Sequence, residues 1–313
     1  MRTYKFSFAL SALLLLVAGN ASAQQLPSAI ATDAPPDKDF PAIMEAPDIL
    51  SHGSRLNAVF YLASGRGPHP TALLLHGFPG NEKNMDLAYV LQRAGWNVLF
   101  PNYRGSWGSA GTFSFANAIE DTQSAVDFLR DPANVKKYRI DSKHIVLVGH
   151  SMGGFMAADV AAHDPQVAAL VMICAWNIGP TVLRAADNGR SDNYKNSSPR
   201  LAGTTPEGLM SEAKNNALKW NYVDYAALLN NRPVLIMESN DRNRDDNQSM
   251  TEALRKAGNP QVTEKFTETD HSFSDHRIAL QIAILDWLQS LPAPSAKSQL
   301  RHKIHAAPAF VGL

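Results

Sequence analysis

Gly149-His150-Ser151-Met152-Gly153-Gly154 joins an apolar run at 145–148 to a stretch of small and apolar residues at 155–162. The run before it has the length of a strand buried on both faces, and the stretch after it suits a closely packed helix. A serine at so sharp a strand-to-helix turn is held in a strained backbone conformation. Glycines two residues before and two residues after it remove the side chains that would collide there. The hydroxyl is thereby lifted off the sheet edge, beside backbone N–H groups and the positive end of the helix dipole. Gly-x-Ser-x-Gly alone is a weak pattern, because glycine and serine are common. The competing reading is a phosphate-binding turn, but no Gly-x-Gly-x-x-Gly and no Walker-type lysine accompanies it.

Outward from this turn the same alternation continues. Short apolar runs at 72–75, 96–100, 145–148 and 168–173 are each bounded by glycine, proline, asparagine or charged residues, as expected of strands inside a parallel sheet. Between them, Phe115, Ile119, Thr122, Val126 and Leu129 recur at spacings of four, three, four and three, which puts them on one helix face. A second set follows: strands at 233–237 and 262–266, and helices at 248–257 and 278–291. Upstream, the alternation of Ala58, Phe60 and Leu62 predicts an antiparallel strand that ends at Gly65-Arg66-Gly67-Pro68. The predicted fold class is α/β, a mostly parallel, doubly wound sheet. A small cap is inserted at about 176–231, with a weak helical pattern at 210–220.

The bulk composition fits one catalytic domain at 48–291: of 313 residues, 45% are hydrophobic and 19% charged, ordinary values for a chain with a sizeable core. Lysine plus arginine equals aspartate plus glutamate at 29 each, so no strong field favours nucleic acid or an anionic membrane as partner. Residues 1–23 have the three-part order of a signal peptide: Arg2 and Lys5, an apolar run at 8–18, then Ala21-Ser22-Ala23. That run is about 11 residues against the roughly 20 of a bilayer span, so no stable membrane span is expected once the segment is removed. The expected location is the periplasm or the medium of a bacterium. Residues 24–47, rich in proline, alanine and aspartate, read as an extended leader, and 292–313 as a flexible tail. The single cysteine, Cys174, lies in an apolar stretch and cannot form an intramolecular disulfide.

With its context, the stretch from 72 to 291 resembles the α/β-hydrolase family, whose nucleophile elbow reads Gly-His-Ser-Met-Gly-Gly in many members. The resemblance implies that Ser151 is the nucleophile. His76-Gly77-Phe78-Pro79-Gly80 stands where the family keeps its oxyanion loop, implying the backbone N–H groups of Phe78 and Met152 as donors. In Glu238-Ser239-Asn240-Asp241-Arg242 it places the acid at Asp241, with Glu238, Asp245 and Asp246 as competitors. Asp270-His271-Ser272-Phe273 matches the family's Asp-His-x-Phe pattern and makes His271 the base, with His276 as its nearest rival. His76 and His150 read as structural, and Arg104 in Asn102-Tyr103-Arg104-Gly105 as a loop brace through its fixed donors.

The expected function is cleavage of carboxylic esters through an acyl-enzyme, with Ser151, His271 and Asp241 in the three roles. The substrate would be a small-molecule ester or a short peptide. Asn-Tyr-Arg-Gly also suggests a prolyl oligopeptidase-like peptidase or amidase. Against that reading, few residues precede the first strand, and the 76–80 loop lacks the tyrosine that such enzymes place there. A non-catalytic binding protein on the same fold is the third reading. Trp107, Trp176, Trp220 and Tyr222 are candidates for the substrate pocket. No cofactor is expected, and no histidine pair has zinc-binding helix spacing. Oligomeric state leaves no mark on the sequence.

Overall fold

The computed structural model describes residues 26–188, 195–196 and 198–291. The signal segment at 1–23 and the tail at 292–313 lie outside the described residues. Ten strands are formed among the described residues: β1 (Ile43–Glu45), β2 (Ile49–Ser51), β3 (Ser54–Leu56), β4 (Ala58–Leu62), β5 (His69–Leu75), β6 (Asn97–Pro101), β7 (Ile140–His150), β8 (Ala169–Ile173), β9 (Val234–Glu238) and β10 (Val262–Phe266). Eight of them make one sheet in the order β1-β4-β6-β5-β7-β8-β9-β10. The pairs β1·β4 and β4·β6 are antiparallel, and the remaining pairs are parallel. The chain belongs to the α/β class, as the alternating pattern predicted. β2 and β3 form a separate hairpin.

The apolar runs work because a central parallel strand is covered on both faces. Leu73, Leu75, Leu99 and Leu147 point into one buried cluster, which includes Val126 and Leu129 of helix α3 (Phe115–Arg130), Tyr138 of α4 (Pro132–Tyr138) and Phe155 of α5 (Met152–His163). Their neighbours Ala72, Leu74, Val98, Val146 and Val148 point into the other, with Leu87 and Leu91 of α2 (Met85–Arg93). α3 starts where Ser114 accepts a hydrogen bond from Asn117 N, a side-chain cap for the first exposed amides of the helix. Because β6 lies on one side of β5 and β7 on the other, the strand order reverses at β5. The carboxyl ends of β5 and β7 therefore stand at the point where the strand order reverses, the usual ligand position in open α/β sheets.

Two stretches depart from expectation. The segment at 24–47 is not simply extended: Ser28–Ala31 is one helical turn, α1, and β1 adds an edge strand with Ile43 opposite Leu62 and Glu45 opposite Phe60. Ile43 and Met44 are exposed, so backbone pairing rather than apolar burial recruits this strand, and no hydrophobic alternation marks it. Side chains of α2 tie the segment down: Gln92 Nε2 donates to Ile43 O and Arg93 Nε to Ala29 O. Between β8 and β9, α6 (Ile178–Asn188) precedes α7 (Pro206–Asn215), and α7 lies earlier than the pattern at 210–220. Thr205 accepts from Gly208 N and Pro206 opens the helix, so capping chemistry sets its start. Among the described residues, no helix is long and apolar enough to cross a membrane.

Candidate active site

Ser151 sits between the last residue of β7 and the first of α5, with φ 56° and ψ −119°, a backbone conformation that L-residues rarely hold. The turn is tight enough to require its glycines. A Cβ on Gly149 would lie 2.1 Å from Gly153 O, and one on Gly153 would lie 2.3 Å from Leu75 O. Three backbone bonds hold the serine: its N–H donates to Ile173 O, and its carbonyl accepts from Gly154 N and Trp176 N, each at 2.9 Å. Met152 sinks its side chain entirely into the core. Its N–H belongs to the first turn of α5, whose amides have no partner within the helix.

The loop after β5 presses against this turn, since a Cβ on Gly77 would lie 2.9 Å from Ser151 Cβ. His76 braces the loop: its Nδ1–H donates to Gly77 O at 2.7 Å, and burial pushes its pKa down to about 4. A neutral ring suits a sealed position. Tyr103 Oη donates to His76 O and Trp107 Nε1 to Pro79 O. The Phe78 ring packs against Phe113, Phe115 and Trp176, with centroids 5.8, 5.6 and 6.0 Å away. Phe78 and Trp176 thus form an aromatic wall next to the serine.

Beyond β9 and β10, Asp241 and His271 meet. His271 Nδ1–H donates to Asp241 Oδ2, and Asp241 Oδ1 accepts from Asn243 N at 2.9 Å. This leaves Nε2 of His271 with its lone pair. The competing carboxylates are engaged elsewhere, sealed or turned to solvent: Asp246 pairs with Arg184, Glu238 is buried and Asp245 is exposed. His276 stands partly exposed beside Asp275. The loop that carries His271 is fixed by Asp270, which accepts from Ser272 N, Ser274 N and Ser274 Oγ, and by Arg277, whose Nη1 donates to Ser272 O at 2.8 Å. On the elbow side, His150 Nε2–H donates to His271 O at 2.9 Å. Among the described residues, no hydrogen bond joins Ser151 Oγ to His271. Such bonds are often long before substrate arrives.

The predicted residues therefore divide. Asp241 and His271 are bonded, Ser151 lies on the turn to which His271 is tied, and Phe78 and Met152 flank that turn. Of the pocket aromatics, Trp176 stands beside Ser151. Trp107 lies outside the oxyanion loop with Lys83 Nζ 4.3 Å above its ring. Trp220 and Tyr222 are not placed as pocket walls: Tyr222 is fully buried, its hydroxyl donating to Ala175 O. Trp220 is packed on Phe115 and Phe155. Both fill the core beneath the site, as aromatic residues more commonly do. Arg104 is the brace expected, bonded through Nε to Asp121 and through Nη2 to Glu120 and Asn117 O. Asn243 and Arg277 escaped the sequence reading, because their partners are loop atoms that no spacing rule connects.

Cys174 Sγ, Asp241 and His271 place one possible ligand atom each within 4.8 Å of one another. Their chemistry fits a cation poorly: Asp241 and His271 share a proton across the facing atoms, and burial, reinforced by Asp241, raises the thiol's pKa. The thiol is instead hydrogen-bonded to Ser239 Oγ at 3.1 Å.

A sequence profile of the alpha/beta hydrolase family matches residues 72–280. The uncharacterized protein YfhR of Escherichia coli K12 is 35% identical over 114 residues, which are 34% of this chain and 38% of YfhR. The chain thus spans well under two thirds of that relative. Two solved structures share the fold. Esterase Pf2001 of Pyrococcus furiosus is 18% identical with TM-score 0.59, over 82% of this chain and 96% of the other. The acylaminoacyl peptidase of Pyrococcus horikoshii is 16% identical with TM-score 0.62, over 83% and 44%.

Proposed function

The chain belongs to the alpha/beta hydrolase family, and from that membership we propose that it cleaves carboxylic esters through an acyl-enzyme formed on Ser151. The observation that carries this reading is the Asp241–His271 hydrogen bond on a loop tied to the turn that bears Ser151. His271 Nε2 takes the proton of Ser151 Oγ–H as Oγ attacks the ester carbonyl carbon. The carbonyl oxygen becomes an oxyanion, which the N–H groups of Phe78 and Met152 receive. One such donor is worth about 3 kcal/mol of barrier in measured cases. The tetrahedral centre then expels the alcohol, which carries away the proton held on Nε2. A water molecule repeats the sequence to release the acid and restore Ser151.

The aromatic wall of Phe78 and Trp176 offers the acyl group an apolar contact surface. The likeness to the Pyrococcus furiosus esterase supports ester cleavage. The likeness to the Pyrococcus horikoshii peptidase keeps an acylated amide as the second reading. The residues at 1–23 extend the proposal to an exported enzyme. Ser151→Ala should abolish both turnover of p-nitrophenyl acetate and labelling by a fluorophosphonate. Undiminished labelling of that variant would remove Ser151 from the role, and faster cleavage of aminoacyl amides than of esters by the wild type would reverse the order of the two readings.

A further inference from the structure

His150 takes no part in the proton transfers above, yet it physically joins the nucleophile turn to the base. Its ring is 4% exposed. Its Nε2–H donates to the main-chain carbonyl of His271 at 2.9 Å, and the two imidazole centroids are 4.7 Å apart. A carbonyl can only accept, so the bond fixes the proton on Nε2. Nδ1 is buried without a partner.

The need for such a tie follows from the topology. His271 follows β10, three strands from β7 in the sheet order, or roughly 14 Å at the usual strand spacing. The base must reach back across β8 and β9 to serve Ser151. Asp241 and Arg277 hold its loop from the far side, while the bond from His150 holds it from the elbow itself. We propose that His150 is a positioning residue, which sets the separation of His271 from Ser151 by anchoring the base's own backbone to the residue next to the nucleophile. The proposal rests on the Ser151–His271 reading given above. Neutrality of the ring serves the same end. Burial and the adjacent His271 push the pKa of His150 down to about 3, so no second positive charge opposes the imidazolium that forms on His271 during turnover.

His150→Phe keeps an aromatic ring in the space and removes the donor. Per active site titrated with fluorophosphonate, its kcat on p-nitrophenyl acetate should fall roughly ten- to a hundred-fold, the scale of a misplacement near 1 Å, with KM within about two-fold. His150→Gln, whose amide can reach the same carbonyl, should recover most of the loss. His150→Asn, too short to reach it, should not, and the Gln and Asn pair carries the comparison if the Phe variant fails to fold. Because rates are counted per titrated site, a variant that is merely less folded would show fewer sites at unchanged kcat. Wild-type kcat in the Phe variant, or in the Asn variant if Phe fails to fold, would overturn the proposal, as would a Gln variant no faster than Asn. Absence of Ser151-dependent labelling in the wild type would instead sink the triad reading itself.

Discussion

Asp241 commits both carboxylate oxygens, one to the Nδ1–H of His271 and one to the N–H of Asn243. A carboxylate that can only accept, facing Nδ1, holds the imidazole in the tautomer whose Nε2 can take a proton. Asp241→Asn would offer His271 an amide, which can donate where the carboxylate accepts, and so favour the opposite tautomer. Its kcat should fall about 10⁴-fold, as in the corresponding aspartate-to-asparagine exchange in a serine protease, with a much smaller change in KM; a fall below ten-fold would show that another group orients the base. At this scale the sequence was readable where a residue sits in a short motif, as for Ser151 on its strand-to-helix turn and for His271 and Asp241, which the fold brings into hydrogen-bond contact. It was silent on Asn243 and Arg277, since each acts on a backbone or carboxylate atom brought near only by folding. It misled on Tyr222 and Trp220, whose position between β8 and β9 is compatible with a pocket wall but whose bulk fills the core.

Glu238 ends β9 three residues before Asp241, and its carboxyl is 1% exposed with neither oxygen hydrogen-bonded. Burial, then the charge of Glu264, raises its pKa to about 7 from an ordinary 4.5, although Arg244 lies 3.8 Å away. The folded state therefore binds this proton more tightly than the unfolded chain does. The contribution to stability is fully present below about pH 4.5 and is lost as pH rises through about 7. Glu238→Gln keeps the neutral shape, so its Tm should gain on the wild type as pH rises from 5 to 8, by a few degrees at the upper end. Parallel Tm profiles would show that the carboxylate is not strained in the folded protein.

Other elements show why some boundaries were legible and some were not. β10 occupies the residues its composition predicted, because glycine, proline and polar residues bracket a short apolar-containing run. β7 begins at Ile140, ahead of the apolar run, since its polar first residues extend beyond the covered part of the sheet. β1 has no apolar signature at all and depends on the free edge of β4.

Across the whole molecule, cohesion comes from two apolar layers, one on each face of a single sheet, with no disulfide to assist. A chain of this size can be stable on core burial alone, which is compatible with export to an oxidising compartment. If residues 1–23 direct that export, the chain recovered from the periplasm or the medium should begin at Gln24 when its N-terminus is sequenced. Recovery of exported chain with residues 1–23 still attached would reject cleavage at Ala23.

The protein's one sulfhydryl, at Cys174, is 1% exposed and packed between Ser239 and Asp241. Maleimides and haloacetamides react with accessible thiolates and will pass it by in the native state. A cysteine introduced at a solvent-facing position far from the elbow would then be the sole chemical handle, allowing one dye, one spin label or one oriented attachment to a support per molecule.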